Sequence, residues 1–424
     1  MYYFRVSAVP IATALTKESQ VDKMRKAYVV AAKRSAIGSF LGGLSSVQPV
    51  ELGATVLKEA IKQSGIDAKD IDECIMGNVI SAGLGQNVAR QVALAAGVPE
   101  TICSQSINMV CGSGLKAVME AVIRVRAGFG DVFVAGGVES MSNAPLLIPA
   151  KVRTGMKMGN MEVIDSMTND GLTDVMYHIH MGVTAENIAE KYNITREEQD
   201  AFAYASQQKA IAAVDSGRFK DEIVPIEVKK RKETVVFDTD EHPNRKSTPE
   251  KLATLRPAFI KDGTVTAGNA SGINDGASFV IVVSEDALKK YNLTPICEVI
   301  GIGQGGVDPR VMGLGPTPAI LNALKSAEVS IDDIDLVELN EAFAAQSLGV
   351  IHELVEATGM DKDKFMEKTN VNGGAIALGH PVGASGNRIL VTLIHEMQKR
   401  DAKTGLASLC IGGGMGAAVI VKRP

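Results

Sequence analysis

Apolar positions along this chain fall into two alternating patterns, short continuous runs and longer amphipathic stretches. Ala27 to Ala32 is a continuous apolar run and predicts a buried strand. The stretch around Ala60-Ile61-Lys62 reads as an amphipathic helix, Asp70-Ile71-Asp72 as a short acidic turn, and an apolar strand follows. The same succession returns at Ala323-Leu324-Lys325 and Asp333-Ile334-Asp335, each residue 263 positions after its counterpart. A second echo lies downstream. Cys111-Gly112-Ser113-Gly114 opens a helical stretch leading to the strand Val132–Ala135 and Gly136-Gly137. Gly383-Ala384-Ser385-Gly386 opens another, leading to the strand Leu406–Ile411 and Gly412-Gly413. The two serines are 272 residues apart and the glycine pairs 276, a drift that loop insertions produce.

A unit of alternating helix and strand that occurs twice predicts two similar α/β domains around a pseudo-twofold axis, with both Ser-Gly helix starts facing one cleft. The stretch from about Met141 to Gly272 has no counterpart in the second half. It holds an irregular region rich in methionine (Met156, Met158, Met161, Met167), a long helix near Thr195–Ser216, and a charged loop over Lys229–Lys251. An insertion of this kind over a domain pair is where substrate is commonly held. The expected division is a first half over 24–140 and 273–293, a loop or lid domain over 141–272, and a second half over 294–424. Residues 1–23 read as an extension, because Met24-Arg25-Lys26 leads straight into the first strand like a natural start.

Composition narrows the function. With 424 residues and a net charge of -5, the chain has ample length for large cores and nothing resembling a nucleic-acid surface. Its clearest basic run, Lys229-Lys230-Arg231-Lys232, is short. No apolar run reaches the roughly 18 residues of a membrane span. Five scattered cysteines without a CxxC argue against a disulfide framework or a zinc site and fit a reducing, cytoplasmic setting.

Four places carry chemistry. Cys111 stands at a strand-to-helix turn, just before glycine, where the positive end of a helix macrodipole favours a thiolate. A buried, inert cysteine before a glycine turn reads the same way in isolation. His380 lies on a glycine-rich loop, Gly373 to Gly383, which is a poor place for core filling, and an imidazole beside a thiol activates it. Cys410 ends an apolar strand ahead of Ile411-Gly412-Gly413-Gly414. A hydrolase needs only one nucleophile; a second thiol makes sense when a proton must leave a weakly acidic carbon. Asn340, in Asn340-Glu341-Ala342-Phe343, ends a strand of the later repeat, where it could hold a water or an oxyanion or simply form a turn.

Asn-x-x-Cys-Gly-Ser-Gly, Asn-Glu-Ala-Phe, Gly-His-Pro-x-Gly and Cys-x-Gly-Gly-Gly, in that order, resemble the thiolase family over nearly the whole chain from Met24 to Arg423. The resemblance is nearest to its biosynthetic, short-chain acetyl-CoA acetyltransferase branch. It implies two similar halves stacked as a five-layered αβαβα sandwich with an inserted loop domain. It also implies a ping-pong condensation of two acetyl-CoA to acetoacetyl-CoA plus CoA, and the reverse thiolysis. Carried over by motif, Cys111 takes the acetyl group and His380 activates that thiol. Cys410 removes the α-proton of the second acetyl-CoA, and Asn340 holds a water beside His380. The backbone N–H groups of Cys111 and Gly412 stabilise an oxyanion.

On the substrate side, Ala267 to Gly272, with Ala267 and Ser271, is similar to the segment beside the pantetheine arm. His180 and Met181, after Leu172, are similar to the family's lid segment, and Phe343 and Arg245 complete the expected contacts. Three departures stand out: Ile179 where the branch has Tyr before the His-Met pair, Asn244 ahead of Arg245 where an Arg meets the nucleotide, and a longer segment over Ala357–Lys368. The resemblance implies acetyl-CoA, acetoacetyl-CoA and CoA as partners, no metal or prosthetic group, and a homotetramer built as a dimer of dimers. A degradative 3-ketoacyl-CoA thiolase of broader chain length is the competing reading. A non-catalytic acyl-CoA binding protein is the remote one.

Overall fold

The computed structural model describes residues 24–424; the expected extension over residues 1–23 lies outside them. The first half contributes strands β1 (Ala27–Ser35), β2 (Glu73–Gly77), β3 (Cys103–Ile107), β4 (Val132–Ser140) and β5 (Asn274–Ser284). They pair in the order β1-β5-β4-β2-β3. The second half contributes β6 (Cys297–Gly306), β7 (Leu336–Leu339), β8 (Thr404–Ile411) and β9 (Met415–Lys422), in the order β6-β9-β8-β7. The two orders are copies: β6 stands for β1, β9 for β5, β8 for β4 and β7 for β2. The partner of β3 is reduced to a single parallel bridge between Val337 and Thr369. The sheets are not separate. Tyr28 and Val29 of β1 pair with Glu298 and Cys297 of β6, so the ladders join at that corner.

Every position of β4 and β5 is buried, the continuous apolar reading of a strand covered on both faces. The outer cover of the first sheet is α1 (Pro49–Ser64) and α2 (Val88–Ala95); that of the second includes α6 (Pro316–Ala327) and α7 (Ala344–Thr358). Between the sheets lie α3 (Ser113–Arg126) and α8 (Val382–Arg400), which pack on each other and on strands of both halves. This is the αβαβα sandwich. The two inner helices cross where glycine removes side chains: a Cβ on Gly386 would come within 2.6 Å of the Leu115 nitrogen.

In the inserted stretch, α4 (Met181–Tyr192) and α5 (Arg196–Asp215) are the long elements. Thr195 caps α5 with a complete capping box to Glu198, which is why the helix starts where its sequence signal lies. The charged loop expected over Lys229–Lys251 is more ordered than its composition suggests. Ile226–Lys229 and Thr234–Phe237 form a hairpin, and a short helix begins at Pro249. Alternating Ile226 and Val228 bury one face of the hairpin while the charges stay on the other. Among the described residues, no helix is long and apolar enough to cross a membrane.

Candidate active site

Cys111 sits on a strained turn between β3 and α3. Val110, a β-branched residue, has φ 45°, a conformation that costs about 1–3 kcal/mol and survives only where its surroundings enforce it. Two side chains do so. Asn108 Oδ1 accepts from the Val110 N–H at 3.1 Å; Ser113 Oγ accepts from the Met109 N–H at 2.9 Å and donates to the Val110 carbonyl at 2.6 Å. The outcome is a thiol presented on a tight elbow at a helix start. Gly412, on the turn after β8, lies against Val110 and Met181.

The thiol's protonation differs from the expectation of a depressed value. Burial pushes the Cys111 thiol up to about 11, although hydrogen bonds from the Gly412 and Cys111 N–H groups pull it down. The dipole of one helix end does not outweigh desolvation here. Cys410 is fully buried and its thiol is held well above the usual range, first by burial and then by Cys111. It packs in one apolar cluster with Met181, Phe343 and Ala270.

His380 is buried and held on three sides. Its backbone N–H donates to Asn274 Oδ1 at 2.8 Å. Its Nδ1 lies 2.7 Å from Ser385 Oγ, and that hydroxyl donates to the Pro381 carbonyl at 2.8 Å. The serine's proton is therefore committed, so Nδ1 must be the donor and Nε2 carries the lone pair. Nε2 has no hydrogen-bond partner among the described residues. Burial lowers the imidazole pKa to about 4, with the buried Arg388 guanidinium adding to the effect. Thiol and base thus both rest neutral. Asn340 is buried, and neither of its amide atoms is hydrogen-bonded among the described residues. A buried primary amide with two free ends is suited to a polar guest such as a bound water or an oxyanion.

A cavity of about 520 Å³ collects most of the expected residues: Cys111 and His380 at its chemical end, with Leu172, His180, Met181, Ala267, Ser271 and Phe343 along its wall. Cys410, Asn340 and Gly412 stand outside that lining, and all three are buried. The Met181 N–H donates to the Leu172 carbonyl at 2.8 Å, fixing the lid segment at the foot of a two-residue hairpin, Thr173-Asp174 against Ile179-His180. Ser271 N–H donates to the Ala342 carbonyl at 2.9 Å, which joins the Ala267–Gly272 segment to the Asn-Glu-Ala-Phe turn. Glu341 of that turn faces inward and binds Ser206, Asn370 and the Ile376 N–H, tying α5 to the second half.

Arg245 lies apart. It lines a second, outer cavity of about 780 Å³ with Lys246 and Lys251, and it is ion-paired with Asp215 at 2.5 Å. His242 and Ala267 line both cavities, so a long, thin ligand can pass from the basic outer rim to the thiol.

Reading the sequence alone missed Phe259, whose ring stacks on His180 at 4.7 Å and meets Phe343 edge-on at 6.0 Å. It missed His242, Asn274 and the role of Ser385 as well. Only Ser385 carried a signal, as part of the repeated Ser-Gly pair; the others stand in stretches without periodicity or motif.

Two family models match the chain, the thiolase N-terminal domain over residues 27–286 and the thiolase C-terminal domain over residues 293–423. An acetyl-CoA acetyltransferase of Syntrophomonas wolfei is 56% identical over 399 residues, covering 94% of this chain and 99% of the relative. One from Escherichia coli is 54% identical over 400 residues, covering 94% and 100%. The crystal structure of human mitochondrial 3-ketoacyl-CoA thiolase superposes with TM-score 0.90 at 44% identity, covering 95% of this chain and 100% of that one.

Proposed function

The chain belongs to the thiolase family and transfers acetyl groups between coenzyme A thioesters, and we propose that it does so in two covalent half-reactions on Cys111. In the first, His380 Nε2 takes the thiol proton as Sγ attacks the acetyl-CoA carbonyl. The Cys111 and Gly412 N–H groups hold the oxyanion. The tetrahedral adduct collapses and CoA leaves with the Cys410 proton, so Cys410 is left as the thiolate and His380 keeps the Cys111 proton on Nε2, which splits one difficult step into two. In the second, the Cys410 thiolate takes a proton from the methyl carbon of a second acetyl-CoA. The Nε2–H of His380 and a water on Asn340 hold the enolate oxygen; the enolate carbon attacks acetyl-Cys111, the C–S bond breaks to release acetoacetyl-CoA, and the Cys111 sulfur takes its proton back from His380. Thiolysis runs the same steps backwards. CoA thioesters are the substrates, and the scheme calls on no other cofactor.

The observation that carries this reading is the neutral pair at the end of the cavity: a protonated thiol on a strained elbow and an imidazole whose only free nitrogen is the unprotonated one. Met181, Phe259 and Phe343 crowd the acyl end and support short chains. The likeness to a 3-ketoacyl-CoA thiolase supports the second reading, a broader chain-length range. Thiolysis of acetoacetyl-CoA and of 3-ketohexadecanoyl-CoA, with Cys111→Ala as control, separates the two. We expect activity on the short substrate alone and a loss of about a thousandfold or more in the variant. Equal rates on both substrates would move the protein to the broader class, and an active Cys111→Ala would remove the mechanism.

The proposed assembly is a homotetramer, a dimer of dimers. It is supported by the edge strand β3, which pairs on one side only, and by exposed Leu146, Ile148 and Met158 on the excursion after β4. A cytoplasmic setting belongs to the same proposal, because all five cysteines stand unpaired.

A further inference from the structure

Glu139 ends β4 in the centre of the molecule, wholly buried, in a place where a carboxylate is costly unless it is well hydrogen-bonded. Its oxygens accept four N–H donors. Oε1 takes Asn78 Nδ2 at 3.1 Å and the Ile80 N–H at 3.2 Å; Oε2 takes the Val79 N–H at 3.0 Å and the Gly383 N–H at 3.0 Å. Among the described residues its hydrogen-bond partners are all donors, so the ionised carboxylate is the form that fits. Burial pushes its pKa up to about 7, and the three backbone donors oppose that rise.

The donors come from two places the chain keeps far apart. Asn78, Val79 and Ile80 form the turn leaving β2 in the first half. Gly383 is the second residue of α8 in the second half, and its N–H is one that the helix itself cannot satisfy. Around it the molecule is stripped of side chains. A Cβ on Gly383 would lie 2.6 Å from Glu139 Oε2, and a Cβ on Gly137 would lie 2.1 Å from the Gly383 carbonyl. The first turn of α8 therefore rests on backbone and is gripped at one N–H by Glu139. Two residues on, the same turn carries Ser385, which holds His380 Nδ1.

We propose that Glu139 is a positioning residue, a buried carboxylate that fixes the first turn of α8 against the first half and thereby sets where His380 Nε2 points. The inference rests on the reading of His380 as the base. Glu139→Gln keeps the shape but turns an amide N–H₂ toward one of the two donor pairs, so either Gly383 with Val79 or Asn78 with Ile80 loses its acceptor.

The test compares Glu139→Gln, Glu139→Asp and Ser385→Ala with the parent in acetoacetyl-CoA thiolysis, with His380→Ala as the control for the base. Thermal unfolding of each is followed in parallel. The expected result is a fall in kcat of about 10- to 100-fold for Glu139→Gln, with KM for both substrates within about twofold and the protein folded at the assay temperature. Glu139→Asp, which keeps the charge on a shorter arm, is expected to recover part of the loss. Ser385→Ala should show the same split between kcat and KM. A folded Glu139→Gln with kcat within twofold of the parent overturns the proposal, and so does a loss that tracks the unfolded fraction. Should Glu139→Gln not fold, the Asp variant decides: a kcat within twofold of the parent overturns it, and a selective fall in kcat supports it. An active His380→Ala would instead remove the reading of the base itself.

Discussion

The starts of α3 and α8 are the same device at corresponding places in the two halves, put to different uses. Each has a Ser-Gly pair, Ser113-Gly114 and Ser385-Gly386, where the helices cross. Five residues before the serine stands Asn108 in one half and His380 in the other; two residues before it stands Cys111 or Gly383. In the first half the serine and Asn108 spend their hydrogen bonds on backbone, which holds Val110 in its strained turn and raises Cys111 on an elbow. In the second half the helix begins three residues earlier relative to the serine, at Val382, and the turn is regular. There the serine holds an imidazole instead, and the position matching the thiol is a glycine whose N–H goes to Glu139. The two repeated helix starts thus meet at one cleft in two forms, a strained elbow under Cys111 and a serine mount under His380.

The largest effect that sharpens this comparison concerns the serines. Ser385→Ala removes the acceptor for His380 Nδ1, and the expected outcome is a fall in kcat of about 10- to 100-fold in a protein that stays folded, at a cost of about 1–3 kcal/mol for the buried N–H. Ser113→Ala leaves the part-buried Met109 N–H without its acceptor, while the Val110 carbonyl keeps the Ser113 N–H, and it frees Val110 to relax. It should destabilise the fold by about 1–3 kcal/mol, read by denaturant unfolding, as well as slow acylation. Matching signatures in the two variants would break the distinction between elbow and mount.

Next in size is the crossing itself. Gly386→Ala places a Cβ within 2.6 Å of the Leu115 nitrogen, backbone that cannot swing away; Gly114→Ala meets Asn387 N at 2.9 Å. The expected cost is about 1–3 kcal/mol for Gly386→Ala and less for Gly114→Ala, read as the drop in unfolding midpoint. Equal costs would mean that the helices slide apart symmetrically and that the crossing is not pinned at Gly386.

Much of this was legible in the sequence because it is local or repeated. The constant offset between Ala60 and Ala323 announced two similar halves, and the long helix near Thr195–Ser216 was legible as well. Cys111, His380 and Cys410 stand in short motifs dense in glycine. What the sequence concealed depends on contacts across the fold. Glu139 looks like any residue at a strand end until β2 and α8 arrive around it. Phe259 comes from a loop more than seventy residues after the His180 it stacks on. The hairpin at Ile226–Phe237 was hidden by the charges on its open face. The direction of the thiol's shift was misjudged for a related reason: a helix end is visible in sequence, and the depth of its burial is not.

That misjudgement leads to the smallest and most discriminating prediction. If the dipole governed both helix starts, Cys111 would be a thiolate at neutral pH. Burial instead holds the thiol up at about 11 and the imidazole down at about 4, so the neutral pair persists across the whole ordinary range. Protonation of Nε2 removes the acceptor, so the acid limb of kcat/KM for thiolysis is expected well below the usual imidazole value. Between pH 7 and pH 6 the rate should change by less than about twofold, where an unperturbed histidine near 6.5 would lose more. Stability follows the same sign. His380 binds its proton more readily unfolded than folded, so its contribution is present above about pH 6.5 and is lost as pH falls toward 4. The thiol acts at the other end, where stability is lost as pH rises from about 9 through 11. An acid limb at 6.5, together with fast alkylation of Cys111 by iodoacetamide at pH 7, would mean that the thiolate and imidazolium already exist at rest. The two helix starts would then differ in shape alone.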